Sequence, residues 1–284
     1  MSATLMDGTA LAARIRAELK EDVAELGDVG LATVLVGDDP ASNVYIRLKH
    51  RAADEVGIRA IDKRLPSETA EDELLELVAE LNEDDAVDGV LVQTPLPPQI
   101  DEARVMRTID PMKDVDGLHP FNAGQLYLGQ QTFVGATPIG IMRLLAEYRI
   151  PIEGARAVVV GRSPIVGKPV AMLLLQANAT VTICHSRTDD LARQTLDADI
   201  LVAAVGQPHL ITADMVKQGA TAIDVGITRT DAGLLGDVDP DVGEVAAFLT
   251  PVPGGVGPMT IALLLENALR AARYRRGALA FPRV

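Results

Sequence analysis

Tryptophan is absent from the 284 residues, and aromatic residues make up only 3% of the chain. Because 48% of the residues are nonetheless hydrophobic, aliphatic side chains must build the core. Cys184 is the single cysteine, which excludes an internal disulfide framework and a cysteine-based zinc cluster. No apolar run approaches the roughly 18 residues of a membrane span, and the N-terminus does not resemble a signal peptide. These absences predict a cytoplasmic protein without a bound metal.

Basic residues are also scarce relative to acidic ones. The chain has 26 Lys and Arg against 40 Asp and Glu, a net charge of −14. Nucleic acids and anionic membranes would be repelled by such a charge, so neither is expected as a partner. An anionic ligand would have to be held by local groups and not by the field of the whole protein.

The order of apolar segments predicts strands alternating with helices. Helices are expected at residues 7–26, 42–57, 67–84, 137–150, 168–179 and 259–276, and strands at residues 31–37, 58–66, 87–97, 156–160, 179–183, 199–204 and 220–225. Residues 101–136 show no regular pattern. The fold class is therefore α/β, with two parallel-sheet domains. We expect a first domain at residues 1–137, with a C-terminal helix at 259–284 packing back on it, and a Rossmann-type domain at 138–258. A cleft is expected between the two.

Two serines are candidates for helix caps. Ser42 is predicted to cap the second helix, which should end at Gly57. Ser67, followed by Ala70 and Glu71, is predicted to begin the third.

The stretch VVVGRSPIVGKP has the order strand, glycine turn and helix that a dinucleotide site requires. Gly161 permits a tight turn after the buried valines, and Gly167 permits close packing of the next helix. Free backbone N–H groups and the helix dipole then face an anion. The spacing departs from G-x-G-x-x-G, because Ser163 replaces the middle glycine and the turn has one extra residue. The prediction is a pyrophosphate site; a plain strand–turn–helix with a solvated arginine is the alternative.

The end of the next strand indicates which dinucleotide is bound. NAD sites usually place an acid there for the ribose 2′-hydroxyl, and the first acid here is Asp189. Arg162, Arg187 and the hydroxyl of Ser186 are found instead. Since arginine offers a fork of donors that matches a phosphate, the sequence favours NADP.

Polar residues in the first half also fall near predicted strand ends. Tyr45 and Lys49 share one helix face, Gln93 ends a strand, and Asp114 and Asp116 alternate in KDVDG. A lysine can act as a base if burial lowers its pKa, and a glutamine carbonyl could orient the amine. A carboxylate could hold a heterocycle on which tyrosine stacks.

Each of these residues also has an ordinary explanation, which the spacing does not exclude. Lys49 could be a solvated surface charge, Tyr45 could belong to the core, and Gln93 could satisfy the backbone. KDVDG could be a turn, and His185 is better explained as a hydrogen-bonded strand-end residue than as a metal ligand.

The chain resembles the methylenetetrahydrofolate dehydrogenase/methenyltetrahydrofolate cyclohydrolase family over essentially its whole length. The matching segments are VGDDPASNVYIRLKHRAADEVGI, DGVLVQTPLP, PMKDVDGLHPFNAG, TPIGIMRLL, VVVGRSPIVGKP, TVTICHSRT, AIDVGI and TPVPGGVGPMT. Thr94 departs from the family by standing where a leucine is common.

The resemblance implies an enzyme of one-carbon folate metabolism. It would oxidise 5,10-methylenetetrahydrofolate to the methenyl form with NADP⁺, and hydrolyse that to 10-formyltetrahydrofolate at the same site. The S-x-x-Y-x-x-x-K pattern, here Ser42, Tyr45 and Lys49, would supply a tyrosine that stacks on folate and a lysine that acts as base. Gln93 would hold and tune the lysine, and Asp116 would bind the pterin ring.

The resemblance also implies residues for the cofactor and for the reacting ends of the ligands. The cofactor positions are Gly161, Arg162, Ser163, Ser186 and Ile227. The segment PGGVGP, with Pro253, Gly254 and Gly255, would line the region where folate and nicotinamide meet. Because relatives are generally dimers through the cofactor domain, a homodimer is implied.

Two other functions share some of these features but do not require all of these residues. A two-domain NADP oxidoreductase of the shikimate dehydrogenase kind would share the second domain, but has no need of Tyr45, Lys49 and Gln93 together. A dinucleotide-sensing module without catalysis would not need Lys49 or Asp116, and both are present.

Overall fold

The computed structural model describes residues 2–231 and 233–280. The strands in this part of the chain are β1 (Thr4–Leu5), β2 (Val29–Val36), β3 (Ile58–Leu65), β4 (Gly89–Val92), β5 (Arg156–Val160), β6 (Thr180–Cys184), β7 (Ile200–Ala203), β8 (Thr221–Asp224), β9 (Thr228–Thr230), β10 (Gly233–Leu235) and β11 (Phe248–Leu249). The α-helices are α1 (Gly8–Leu26), α2 (Pro40–Val56), α3 (Glu71–Glu83), α4 (Glu102–Thr108), α5 (Pro120–Tyr127), α6 (Ala136–Glu147), α7 (Gly167–Gln176), α8 (Leu191–Thr195) and α9 (Val256–Arg275). Every helix in these residues falls short of the length or the apolar character needed to cross a membrane.

The described residues form two compact units. The front unit comprises residues 14–135 and 261–280, and the back unit residues 2–13 and 136–260. Residues 2–13 were expected in the first domain but belong to the back unit, because β1 pairs with β11 in the sheet of that unit. Residues 281–284, which the expected C-terminal helix segment included, lie outside the described residues.

The sheet of the front unit has the order β3-β2-β4, with all pairs parallel. Every residue of the central strand β2 is buried, as its apolar sequence predicts. An isolated parallel bridge joins Val90 of β4 to Asp114, so KDVDG continues the sheet at the edge beside β4.

The sheet of the back unit has six parallel strands in the order β1-β11-β8-β7-β5-β6. Strand β5 lies between β6 and β7. The chain therefore crosses from β5 to β6 on one side, and then crosses back to β7 on the other side of β5. This is the switch point at which α/β sheets bind ligands, beyond the carboxyl ends of the strands. The prediction of two parallel-sheet α/β domains is confirmed.

Helix starts differ from two of the sequence predictions. The cap of α2 is Asp39, whose carboxylate accepts a hydrogen bond from the backbone N–H of Ser42 at 2.7 Å, so the prediction of Ser42 as the cap is wrong. Helix α3 begins after Ala70 without a side-chain cap, so the capping role predicted for Ser67 is also wrong. The end of α2 at Gly57 is confirmed, with φ of 84°.

Residues 101–136 contain two short helices that sequence periodicity missed. The carboxylate of Asp101 caps α4 by accepting the N–H groups of Ala103 and Arg104. The ring of His119 caps α5, which has proline at its first position. Helices of seven and eight residues are too short for a clear apolar period, so their caps are the only sequence signal.

Candidate active site

Lys49 and Gln93 meet in the front unit. Lys49 lies on α2 and Gln93 directly after β4, and Nζ of the lysine donates to Oε1 of the glutamine at 3.0 Å. The amide nitrogen of Gln93 donates in turn to the backbone oxygen of Thr94 at 2.8 Å, which fixes the orientation of the amide. The backbone N–H of Gln93 donates to the backbone oxygen of Val34 in β2, so the sheet also holds the main chain of the glutamine in place. The structure thus brings together two residues separated by 44 positions.

Burial lowers the pKa of Lys49, and the negative charge of Asp116 opposes that shift. Part of the side chain reaches the surface, but the surrounding protein keeps most water from the amine. The glutamine carbonyl accepts a hydrogen bond without supplying the full negative charge that would hold the amine protonated. A lysine in this setting can exchange a proton closer to neutral pH than a solvated one.

The carboxylate of Asp116 lies near the same amine. Burial raises the pKa of Asp116 to about 6, with Lys49 opposing the shift and Asp114 adding to it. Among the described residues, no group donates a hydrogen bond to this carboxylate. It therefore keeps its acceptor positions for the donors of a ligand.

The other two charged residues of KDVDG have internal partners. Asp114 is buried and accepts the backbone N–H of His119 and the side-chain amide of Asn122, each at 2.8 Å. Lys113 is buried and donates to the backbone oxygens of Leu81, in the last turn of α3, and of Asp84, which directly follows the helix. The hydrogen bonds of Asp114 and Lys113 hold the KDVDG loop in place, whereas the carboxylate of Asp116 remains available to a ligand.

Tyr45 lies one helical turn before Lys49. The side chain is 44% exposed, so the explanation of Tyr45 as a core residue is wrong. An exposed ring beside a buried amine is available for stacking on a planar ligand. Ser42 of the same pattern is buried.

In the back unit, the turn after β5 has no room for side chains at its glycines. Gly161 has φ of 128°, and a Cβ atom there would lie 2.3 Å from the backbone oxygen of Ala204. A Cβ atom on Gly167 would lie 2.3 Å from the backbone oxygen of Gly161. Helix α7 can therefore approach the strand closely, as the sequence predicts.

Ser163 accounts for the departure from the glycine pattern. The hydroxyl accepts the backbone N–H groups of Val166 at 3.1 Å and Gly167 at 3.3 Å, and the backbone oxygen accepts that of Lys168. These three N–H groups at the start of α7 are thus already occupied. Among the described residues, the backbone N–H groups of Arg162 and Ser163 have no acceptor, and they are the ones left for a phosphate.

Arg162 and Ser186 occupy equivalent positions beyond two neighbouring strands. Val160 of β5 pairs with Cys184 of β6, and each of the two residues lies two positions further along its own strand. Both are exposed. In the part of the chain that the structure describes, the guanidinium of Arg162 has no salt bridge or hydrogen bond.

The remaining predicted residues lie beyond β8 and β11. Ile227 follows β8 and is 38% exposed. Gly254 has φ of 108°, and its backbone oxygen accepts the N–H of Thr9 at 3.0 Å. Gly255 is buried with no room for a side chain, and Pro253 is exposed.

Comparison with known proteins matches both halves of the chain. Residues 6–116 match the sequence profile described as tetrahydrofolate dehydrogenase/cyclohydrolase, catalytic domain. Residues 135–276 match the NAD(P)-binding domain of the same description. The bifunctional protein FolD of Moorella thermoacetica is 55% identical over 279 residues, covering 96% of this chain and 100% of that protein.

Solved structures agree with the sequence matches. The bifunctional FolD of Campylobacter jejuni superposes with a TM-score of 0.95 at 47% identity, over 96% of this chain and 100% of that one. The enzyme of Trypanosoma brucei, solved with NADP cofactor and inhibitor, gives a TM-score of 0.93 at 40% identity, over 97% and 99%. Shikimate dehydrogenase of Thermus thermophilus reaches only 0.53 at 17% identity, over 88% and 100%, which is a likeness of fold alone.

Proposed function

Because the chain belongs to the tetrahydrofolate dehydrogenase/cyclohydrolase family, we propose that Lys49, Gln93, Asp116 and Tyr45 carry its chemistry. The enzyme oxidises 5,10-methylenetetrahydrofolate to the methenyl form with NADP⁺ and hydrolyses that product to 10-formyltetrahydrofolate. The observation that carries the assignment of residues is the Lys49–Gln93 hydrogen bond, together with the nearby Asp116 carboxylate, which accepts no hydrogen bond from the described residues.

Lys49 is the general base of the hydrolytic step. The methenyl carbon is an activated cation, so a water molecule needs only to be positioned and to lose a proton. As the water oxygen bonds to that carbon, Nζ of Lys49 takes the proton. The hydroxyl group of this adduct then loses its proton as the carbonyl forms, the bond from the carbon to N5 of the folate breaks, and N5 takes up a proton. The formyl group stays on N10, and one proton is released overall. Burial supports this role because it favours the neutral amine.

Gln93, Asp116 and Tyr45 prepare the site for this step. Gln93 holds the lysine by its carbonyl oxygen and is itself held by Thr94. Asp116 accepts hydrogen bonds from the donors of the pterin ring, which a partly exposed carboxylate without hydrogen bonds to the described residues can do. The exposed ring of Tyr45 stacks on the folate.

The back unit holds NADP, and its residues fit that group. The turn between Gly161 and Gly167 lets the backbone approach the pyrophosphate, with the N–H groups of Arg162 and Ser163 free to donate. The Arg162 guanidinium and the Ser186 hydroxyl are available for the 2′-phosphate. Bound NADP⁺ supplies the hydride acceptor of the dehydrogenase reaction. We assign folate binding to the front unit and NADP binding to the back unit.

The direct test is to offer the purified protein 5,10-methylenetetrahydrofolate with NADP⁺ or NAD⁺, following absorbance of the methenyl product. We expect rapid oxidation with NADP⁺, slower oxidation with NAD⁺, and hydrolysis when the methenyl compound is supplied alone. Oxidation of shikimate in place of the folate would support the hypothesis that the protein is a shikimate dehydrogenase. Binding of NADP⁺ without turnover of either substrate would support a sensing module.

We also propose that the protein is a cytoplasmic homodimer without a nucleic-acid or membrane partner. Strand β6 is the edge of its sheet, and Ile183 on β6 and Leu175 on α7 are 38% and 52% exposed. An edge strand with exposed apolar side chains is suited to pairing with a second copy. Light scattering after gel filtration should give about twice the chain mass of 30.1 kDa. A mass of one chain would contradict the dimer.

A further inference from the structure

Two buried aspartates of the back unit take no part in the function described so far. Asp224 is 4% exposed and Asp237 is 0% exposed. Within residues 2–231 and 233–280, neither forms a salt bridge. A buried carboxylate without a cation requires many hydrogen bonds to remain in place.

Asp237 organises the segment that follows β7. One carboxylate oxygen accepts the backbone N–H groups of Val205 at 2.7 Å and Gly206 at 3.1 Å, and the other accepts that of Gln207 at 2.7 Å. Three successive N–H groups therefore surround one carboxylate. A single side chain determines the path of the backbone beyond β7.

Asp224 extends the network to two further strands. It is the last residue of β8, and its carboxylate accepts the backbone N–H groups of Asp237 at 2.8 Å and Val238 at 3.1 Å. Its own N–H donates to the hydroxyl of Thr250 at 2.7 Å, and Thr250 directly follows β11. The carboxyl ends of β7, β8 and β11 are thus joined through two side-chain carboxylates and one hydroxyl.

Two glycines show how closely the backbone packs against these carboxylates. A Cβ atom on Gly226 would lie 2.0 Å from Oδ1 of Asp237, and one on Gly236 would lie 1.8 Å from Oδ2 of Asp224. Gly226 immediately precedes Ile227, so the backbone that leads into Ile227 packs directly against the Asp237 carboxylate.

The network lies on one side of the switch point of the sheet. The Gly161 turn and Ser186 follow β5 and β6, whereas the network follows β7, β8 and β11. A dinucleotide spans such a switch point, with one mononucleotide half on each side. Since Arg162 and Ser186 serve the adenosine half in the proposed function, on which this inference rests, the other side receives the nicotinamide half. The segments after β5 and after β7 are in contact at Gly161, because the backbone oxygen of Ala204 lies where a side chain at Gly161 would have to be.

We propose that Asp237 and Asp224 are positioning residues for the nicotinamide half of NADP, acting through the backbone of the Val205–Gln207 segment and of Gly226–Ile227. Burial raises the pKa of Asp224 to about 7, and the backbone N–H groups of Asp237 and Val238 oppose that shift.

The test is the substitution Asp237→Asn, which keeps the shape of the side chain but removes one accepting oxygen. At least one of the three N–H groups then faces an NH₂ group and moves. By titration calorimetry, we expect affinity for NADP⁺ to fall about tenfold, since one orphaned donor costs that order of free energy. Affinity for 2′,5′-ADP, which lacks the nicotinamide half, should stay within about twofold. The matched control is Asp214→Asn, which makes the same change at an exposed site of the back unit and should alter neither affinity.

Loss of stability is separated from positioning by two further comparisons. Val242→Ala removes buried volume from the same core without touching either carboxylate, so it should lower the melting temperature but leave the ratio of the two affinities unchanged. If Asp237→Asn does not fold, Thr250→Val removes the hydroxyl that ties β11 to Asp224, and Thr250→Ser should restore NADP⁺ affinity.

The outcomes distinguish this proposal from the proposed function. If the unmodified protein binds 2′,5′-ADP and NADP⁺ but Asp237→Asn and Thr250→Val weaken both ligands equally, or neither, the positioning role is wrong and the NADP assignment stands. If the unmodified protein binds neither ligand, the NADP assignment itself fails, and this inference fails with it.

Discussion

Burial moves the pKa values of Lys49 and Asp116 toward each other, downward for the amine and upward for the carboxyl. Each charge also opposes the shift of the other, because a nearby ammonium and carboxylate stabilise each other's charged forms. Asp116 therefore changes protonation at mildly acidic pH, and the amine of Lys49 loses its proton at a lower pH than that of a solvated lysine. Replacing Asp116 should therefore alter the pH dependence of folate binding, and adding a charge beside Lys49 should alter the pH dependence of hydrolysis.

Asp116 should make folate binding sensitive to mildly acidic pH. Because its pKa is raised to about 6, the carboxyl is ionised at pH 7.5 and becomes neutral as the pH falls through 6. A neutral carboxyl is a poorer acceptor for the donors of the pterin, so the KM for the folate substrate should rise below pH 6. In Asp116→Asn the KM should be about tenfold higher at pH 7.5 and nearly constant from pH 5 to 8. An unchanged pH dependence of KM in this variant would refute the assignment.

Gln93→Glu should slow hydrolysis by recharging the lysine. A carboxylate 3.0 Å from Nζ favours the ammonium form, so the pKa of Lys49 should rise toward that of a solvated lysine. The pH at which hydrolysis reaches half its maximal rate should shift upward by about one unit or more. Gln130→Glu is the control, because it makes the same change at an exposed glutamine of the front unit whose side chain has no hydrogen bond to the described residues. A pH profile that stays in place would show that Gln93 does not tune the base.

Arg162→Ala should weaken NADP⁺ far more than NAD⁺. The guanidinium is exposed and without an internal partner, so a charge-assisted pair with the 2′-phosphate is lost without unfolding the turn. We expect a loss of affinity of about 10- to 100-fold for NADP⁺ and of less than about twofold for NAD⁺. Arg193→Ala, at an exposed arginine on α8, should change neither value. Equal losses for the two dinucleotides would refute the 2′-phosphate assignment.

The parts of the fold that sequence predicts well are those with a strong local pattern. Strand β2 and strand β5 are runs of apolar residues, and the structure buries them as expected. The four-residue spacing of Tyr45 and Lys49 places them on one face of α2, and Gln93 follows β4 as predicted. Local sequence is sufficient here because the period of the element alone decides which side chains share a face.

Errors arose where two local signals competed. Asp39 and Ser42 are both good caps, and the proline at position 40 decides between them, since proline favours the first position inside a helix. That signal was available in the sequence. Ser67 has a capping pattern, but the chain makes a further turn before α3 begins after Ala70.

Other features depend on partners distant in sequence and have no local signal. Lys113 can be buried because carbonyl oxygens about 30 positions earlier accept hydrogen bonds from its ammonium group. Asp237 is buried because three N–H groups about 30 positions earlier surround its carboxylate. Charged residues are usually exposed, so composition alone predicts the opposite of what is found at both positions.

Lys49→Met is the measurement that tests the account most directly. The change keeps the unbranched side chain but removes the amine, so hydrolysis of the methenyl substrate should fall by about 100-fold or more, while the dissociation constant for NADP⁺ stays within about twofold. Lys20→Met, at an exposed lysine of α1, should leave both unchanged. Full-rate hydrolysis by Lys49→Met would contradict the claim that the buried amine held by Gln93 activates the water.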